Sequence, residues 1–325
     1  MRNTPKRICA LVLVCALVIL SVALTGCADK KDDGQLDILC TVFPIYDWVR
    51  NITGDAEGAQ VSLLVKNGAD LHSFQPSFAD MAAIRDCDVL IYIGGESDKW
   101  VEDSLDEGTV AIKLSELDEV TLYQVSADSI AEGHSHEDGE DHHEAHDHSE
   151  GFDEHLWLSL KNATVVCEAV RDTLCELDSE NAQTYSENTA AYIRELSELQ
   201  GRMSEVAKTI SEPLIFADRF PFVYLLEDHG IEYYAAFEGC TTDTDANFDT
   251  IIGLAQRLAA SECGYVFVTE GFSARLVESV INESGVTAEK AVLDSMQSIS
   301  ENDIDDKSYT AIMEENISVL ERIFS

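Results

Sequence analysis

Two histidines of this 325-residue chain stand in settings suited to holding a cation. His72 lies in Gly68-Ala69-Asp70-Leu71-His72-Ser73-Phe74-Gln75-Pro76, and His155 in Asp153-Glu154-His155-Leu156-Trp157-Leu158-Ser159. Each reads as following a strand, and each has acids close by. Between them runs HSHEDGEDHHEAHDHSE, residues 134 to 150, with six histidines (His134, His136, His142, His143, His146 and His148) and seven acids. Imidazole favours zinc over magnesium or calcium. Neutral histidine binds a metal and imidazolium does not, so retention should fall below about pH 6. A lone loop histidine is more often a solvated or capping residue. Two in matching settings favour ligation.

The surrounding pattern must position these residues. Leu36 to Thr41, Gln60 to Val65, Val89 to Ile93 and Val110 to Lys113 read as strands, with helices over Tyr46 to Ile52 and Pro76 to Arg85. The His-rich run, from about 126 to 151, has neither a period of two nor one of 3.6 and reads as a long loop or insert. Leu160 to Leu177 is helical, and a second helix pattern covers 179–210 without a proline. The alternation then restarts, with strands at Leu214 to Ala217, Tyr233 to Ala236, Tyr265 to Thr269 and Ala291 to Leu293. Helices fill Phe248 to Ser261, Ser273 to Ser284 and Tyr309 to Phe324. Strands alternating with helices argue for α/β units with mainly parallel sheets. The expected architecture is two α/β lobes, 36–178 and 211–325, joined by one long helix, with a ligand in the cleft beyond the strand ends.

The first residues bear on location. Arg2, Lys6 and Arg7 precede an uncharged run from Ile8 to Thr25, which ends in Leu24-Thr25-Gly26-Cys27. That is the pattern of a lipoprotein signal over residues 1–26, with lipid carried on Cys27 and a polar linker over 27–35. The expected protein is extracytoplasmic and anchored to the cell membrane by lipid. Losing residues 1–26 removes three basic groups and no acid, which takes the formal charge from −41 to −44. Such a surface repels nucleic acid, which needs clustered Lys and Arg, and draws in cations. Beyond Cys27 stand Cys40, Cys87, Cys167, Cys175, Cys240 and Cys263, with no CxxC to suggest a thiolate zinc site. Buried free thiols are expected at Cys40, Cys167 and Cys175.

GADLHSFQPS, DEHLWLS, the linking helix, EDHGI and SYTAIMEENISVL, taken in order, resemble the metal-binding lipoproteins of bacterial ABC importers for zinc and manganese. A His- and acid-rich loop between the two histidine motifs is typical of the zinc branch. The resemblance implies two α/β lobes, a rigid connecting helix and one metal ion in the cleft. It implies His72 and His155 as ligands from the first lobe, and a monomer working with an ABC permease and its ATPase. The second lobe departs from the pattern. Its first strand is followed by Ala217-Asp218-Arg219, with Arg219 where the family offers a histidine or glutamate. Guanidinium cannot ligate. Asp218 beside it could, and Glu270 in Val268-Thr269-Glu270-Gly271 is the candidate for a further carboxylate.

Two imidazoles and two carboxylates would give tetrahedral Zn²⁺ its four donors, and bidentate carboxylates would also suit Mn²⁺. The His-rich run then reads as an accessory that concentrates metal at the cleft mouth. Flexible ligands bear an ordering cost that preformed ones avoid. Two other classes are weighed against a binding module. A metallohydrolase needs a coordinated water and a general base, yet HExxH is absent and no Ser–His–Asp setting is visible. A surface adhesion or storage lipoprotein would hold metal through the run alone.

Overall fold

Short β-branched and aromatic runs alternate with amphipathic helices, and each run forms a strand. The computed structural model describes residues 34–124, 151–237, 248–272 and 274–325. The signal segment, Cys27 and the six histidines of the run lie outside the described residues.

The first lobe opens with β1 (Leu36–Cys40), α1 (Phe43–Thr53) and β2 (Ala59–Leu63). It continues through α2 (Phe78–Asp86), β3 (Val89–Tyr92) and β4 (Val110–Lys113). The strands form one parallel sheet in the order β2-β1-β3-β4. Helix α3 (Leu160–Leu177) follows, and then α4 (Ala182–Ala207). The second lobe comprises β5 (Leu214–Phe216), α5 (Val223–Glu227), β6 (Tyr233–Ala235) and α6 (Phe248–Ala260), then β7 (Tyr265–Thr269), α7 (Ala274–Ser284), β8 (Glu289–Leu293) and α8 (Tyr309–Phe324). Its sheet has the order β6-β5-β7-β8, again all parallel. The two sheets share one topology. In each, the strand order reverses beside the first strand, which opens a crevice at the carboxyl ends.

Some boundaries differ from the sequence pattern. Helix α1 begins at Phe43, because Pro44 sits in its first turn, where a missing N–H is harmless. Helix α2 starts after Pro76, at Phe78, where Ser77 and Asp80 form a reciprocal capping box. The connecting helix is shorter than its apolar pattern, since the chain frays before Pro213 and Asn181 stands as its N-cap.

Helix α4 buries Tyr185, Thr189, Tyr192, Leu196, Leu199, Met203 and Val206, one face at alternating steps of four and three. One apolar cluster runs from Ile38, Trp48 and Ile91 across this face to Phe216, Phe267, Met313 and Leu320. The helix is therefore a packed spine between the lobes, with residues of both on one continuous core. Cys40 and Cys167 are buried free thiols as expected, whereas Cys175 is half-buried. Among the described residues no helix is long and apolar enough to cross a membrane.

Candidate metal centre

The loop after β2 presents His72. Left-handed Asn67 (φ 64°) and Gly68 (φ 73°) turn the chain toward the crevice. Asp70 then caps a single 3₁₀ turn, Leu71–Ser73, with its carboxylate accepting the His72 N–H at 3.0 Å. Buried Leu71 anchors the turn.

His155 arrives differently. Among the described residues no strand leads directly into it, and it stands as N-cap of the 3₁₀ turn Leu156–Leu158, whose three side chains are fully buried. Asp153 Oδ1 accepts both the His155 backbone N–H, at 2.9 Å, and its ring Nδ1–H, at 2.8 Å.

The two rings converge. His72 Nε2 and His155 Nε2 are 3.0 Å apart, with ring centroids at 5.0 Å. A carboxylate only accepts hydrogen bonds, so Asp153 fixes the proton of His155 on Nδ1. His72 Nδ1 faces Ser97 Oγ at 2.8 Å and Glu154 Oε2 at 3.2 Å. Burial alone would raise the Glu154 pKa, but hydrogen bonds from His72 and Ser97 outweigh it and bring it to about 2. Ionised Glu154 likewise draws the His72 proton to Nδ1. With both ring protons on Nδ1, the two Nε2 lone pairs face one another, and a cation between them would relieve their repulsion. Two nitrogens bound to one zinc at ~2.0–2.1 Å near the tetrahedral angle lie about 3.4 Å apart. The observed pair needs to open by only a few tenths of an ångström. Imidazoles oriented by carboxylates on their far nitrogens are the usual build of a metal-binding pair.

The carboxylate behind His72 depends on a tight turn after β3. Ser97 N–H donates to Glu154 Oε1 at 2.7 Å. A side chain at Gly95 would run into that carboxylate. Fully buried Asp98 accepts the N–H groups of Ile93, Gly94 and Gly95 and so holds the turn.

In the second lobe the sequence candidates are placed apart from the imidazole pair. Asp218 turns inward, where its Oδ2 accepts the Thr269 hydroxyl at 2.5 Å. Glu270 accepts both the N–H and the hydroxyl of Ser295, at 2.7 and 2.6 Å. Burial, with Asp294 nearby, raises the Glu270 pKa to about 7. Among the described residues no three His, Cys, Asp or Glu side chains are gathered closely enough to hold a metal ion. Arg219 reaches across the crevice, and its Nη1 donates to Asp70 Oδ2 at 2.7 Å. The segment between is set by an aromatic cluster, in which the Phe216 ring packs on Phe220, Phe222 and Phe267.

The second lobe also grips the His155 loop. Tyr224 Oη donates to the Asp153 carbonyl at 2.6 Å, and Tyr309 Oη to that of Trp157 at 2.7 Å. Ser159 Oγ, the N-cap of α3, donates to Asp228 at 2.6 Å. These bonds give EDHGI and the SYTAIMEENISVL tyrosine their place. Asp70, Ser97, Asp153 and Glu154 were not singled out from the sequence as parts of the site. The acids flanking each histidine were the available signal.

The profile of ZnuA, zinc-uptake complex component A, periplasmic, matches residues 38–323. Zinc-binding lipoprotein AdcA of Streptococcus pneumoniae (strain ATCC BAA-255 / R6) is 27% identical over 309 residues, 94% of this chain and 59% of that protein. The chain thus spans about three-fifths of that relative's length. The high-affinity zinc uptake system protein ZnuA of Bacillus subtilis (strain 168) is 25% identical over 91% of this chain and 89% of its own. The crystal structure of the Zn(II)-bound ZnuA-like domain of S. pneumoniae AdcA superposes with a TM-score of 0.68 at 25% identity, covering 90% of this chain and 99% of that one. The periplasmic zinc-binding protein TroA of Treponema pallidum, at 18% identity and a TM-score of 0.70, shares the fold. Two parallel-sheet lobes on a helical spine and a profile match over nearly all of both lobes lead to one conclusion: the chain belongs to the ZnuA family.

Proposed function

We propose that this protein captures a divalent transition metal, zinc before manganese, and hands it to an ABC permease driven by its ATPase. It does so outside the cytoplasm, as a monomer held to the membrane by lipid on Cys27. The observation that carries the reading is the facing pair of His72 and His155 Nε2 atoms, each ring backed by a carboxylate. His72 and His155 are the first-lobe ligands. Asp218 and Glu270 are the second-lobe candidates, and each would have to exchange a hydroxyl partner for the ion. The zinc named in the relatives' descriptions supports the choice of metal. The Mn-bound form of a periplasmic metal-binding protein from candidatus Liberibacter asiaticus, 22% identical, shares the fold. A receptor of this kind transports its ion unchanged and is not an enzyme.

The His134 to His148 run feeds this site and is not the site. A competitive zinc titration of residues 36–325, beside a version lacking 134–148, tests the assignment. One tight zinc retained after deletion, with only weak sites lost, is the expected result. Loss of tight binding with the run would make the run itself the metal site and would favour a storage lipoprotein.

A further inference from the structure

Arg219 stands where the resemblance leads one to expect a ligand, and a guanidinium cannot be one. Its Nη1 donates to Asp70 Oδ2 at 2.7 Å, across 149 positions of chain and from one lobe to the other. The other Asp70 oxygen, Oδ1, accepts the backbone N–H of His72 at 3.0 Å. One carboxylate therefore joins the second lobe to the turn that carries a metal-binding imidazole. Both partners are partly shielded, with 31% of the Arg219 side chain and 17% of that of Asp70 exposed. The pair is thus less screened than a surface ion pair.

We propose that Arg219 is a positioning residue: through Asp70 it holds the His72 turn against the second lobe and so slows escape of the bound ion. This rests on the metal-capture reading above. The Asp70 carboxylate takes up the guanidinium charge, which leaves the imidazole pair free to accept a dication. Release toward a permease then requires the Arg219–Asp70 bond to part, because that bond spans the two lobes whose separation would expose His72. Arg219 thereby exchanges a ligand's contribution to affinity for control over the rate of release.

The test uses residues 36–325, which form one compact unit, loaded with one equivalent of zinc. Zinc loss to excess chelator is followed by stopped flow for wild type, Arg219→Ala, Asp70→Asn and the double variant. Each single substitution should speed loss by about tenfold, since truncating a shielded charge pair acts on dissociation. The double variant should be no faster than either single one. Arg219→Lys should restore part of the slow rate, because an ammonium reaches the carboxylate without the guanidinium fork. The cobalt(II) visible spectrum should shift in Arg219→Ala, a change at the metal that a loss of stability alone would not produce. An unchanged release rate in Arg219→Ala, or single effects that multiply in the double variant, would overturn the proposal. His72→Ala separates the two levels. If it keeps one tight zinc, the metal-capture reading fails. If it loses tight zinc while Arg219→Ala behaves as wild type, only the positioning role fails.

Discussion

Trp157 Nε1 donates to the backbone carbonyl of Ser295 at 2.8 Å, and both groups are buried. The bond links the turn that carries His155 to the residue whose N–H and hydroxyl hold Glu270. Met296, next in sequence, is held at φ 60°, a conformation a non-glycine side chain resists. The second lobe thus spends local strain where it grips the first-lobe turn.

Trp157→Phe keeps an aromatic ring, smaller than the indole, but leaves the Ser295 carbonyl unpaired. The loss should be on the order of 1–3 kcal/mol of stability, read by urea unfolding. Unchanged stability would mean that solvent replaces the indole there.

Glu154→Gln tests the role of the carboxylate behind His72. The amide oxygen can still accept from Ser97 N–H, but its charge no longer draws the His72 proton to Nδ1. Zinc affinity should fall by roughly ten- to a hundredfold, with the stoichiometry of one tight ion retained. A competitive chelator titration reads both.

Gly95→Ala drives a methyl group into the Glu154 carboxylate. The carboxylate must shift, so the variant should lose zinc affinity in the same direction as Glu154→Gln. Combined with Glu154→Gln it should add little, because the two changes act on one contact.

Asp98 sets a pH dependence. Burial raises its pKa from 3.8 to about 6, against the lowering effect of the backbone N–H donors of Ile93, Gly95 and Gly94 and with Glu154 adding to the rise. The folded state therefore binds the proton more tightly than the unfolded chain does. This contribution to stability is complete below about pH 3.8 and is lost as pH climbs through about 6. The stability difference between wild type and Asp98→Asn, measured by urea unfolding of the metal-free protein, should shrink across that window. A difference that is flat in pH would contradict the shift.

The alternation of strands and helices was legible because each lobe repeats one βαβ pattern, and the sheets are parallel for the reason that pattern implies. His72 and His155 stand out in the sequence because each closely follows an acid, Asp70 for the first and Asp153 with Glu154 for the second. The partners that aim them were harder to see. Asp70 and Arg219 are 149 residues apart, and Ser97 and Glu154 are 57 apart. No local period encodes such contacts. Asp218 is a ligand candidate from its place in the chain, and the hydroxyl that Thr269 on the neighbouring strand donates to it is a contact no local pattern encodes. The boundaries of α1 and α2 moved for local reasons, a proline in a first turn and a serine cap.

The central claim is that both imidazoles bind one ion through Nε2. Zinc K-edge X-ray absorption on residues 36–325 lacking 134–148, loaded with one equivalent of zinc, reads it most directly. Two histidine nitrogens at ~2.0–2.1 Å, with outer-shell imidazole scattering that drops by one ring in His72→Ala and in His155→Ala, is the predicted result. A zinc shell without imidazole scattering, or one unchanged by both substitutions, would contradict it.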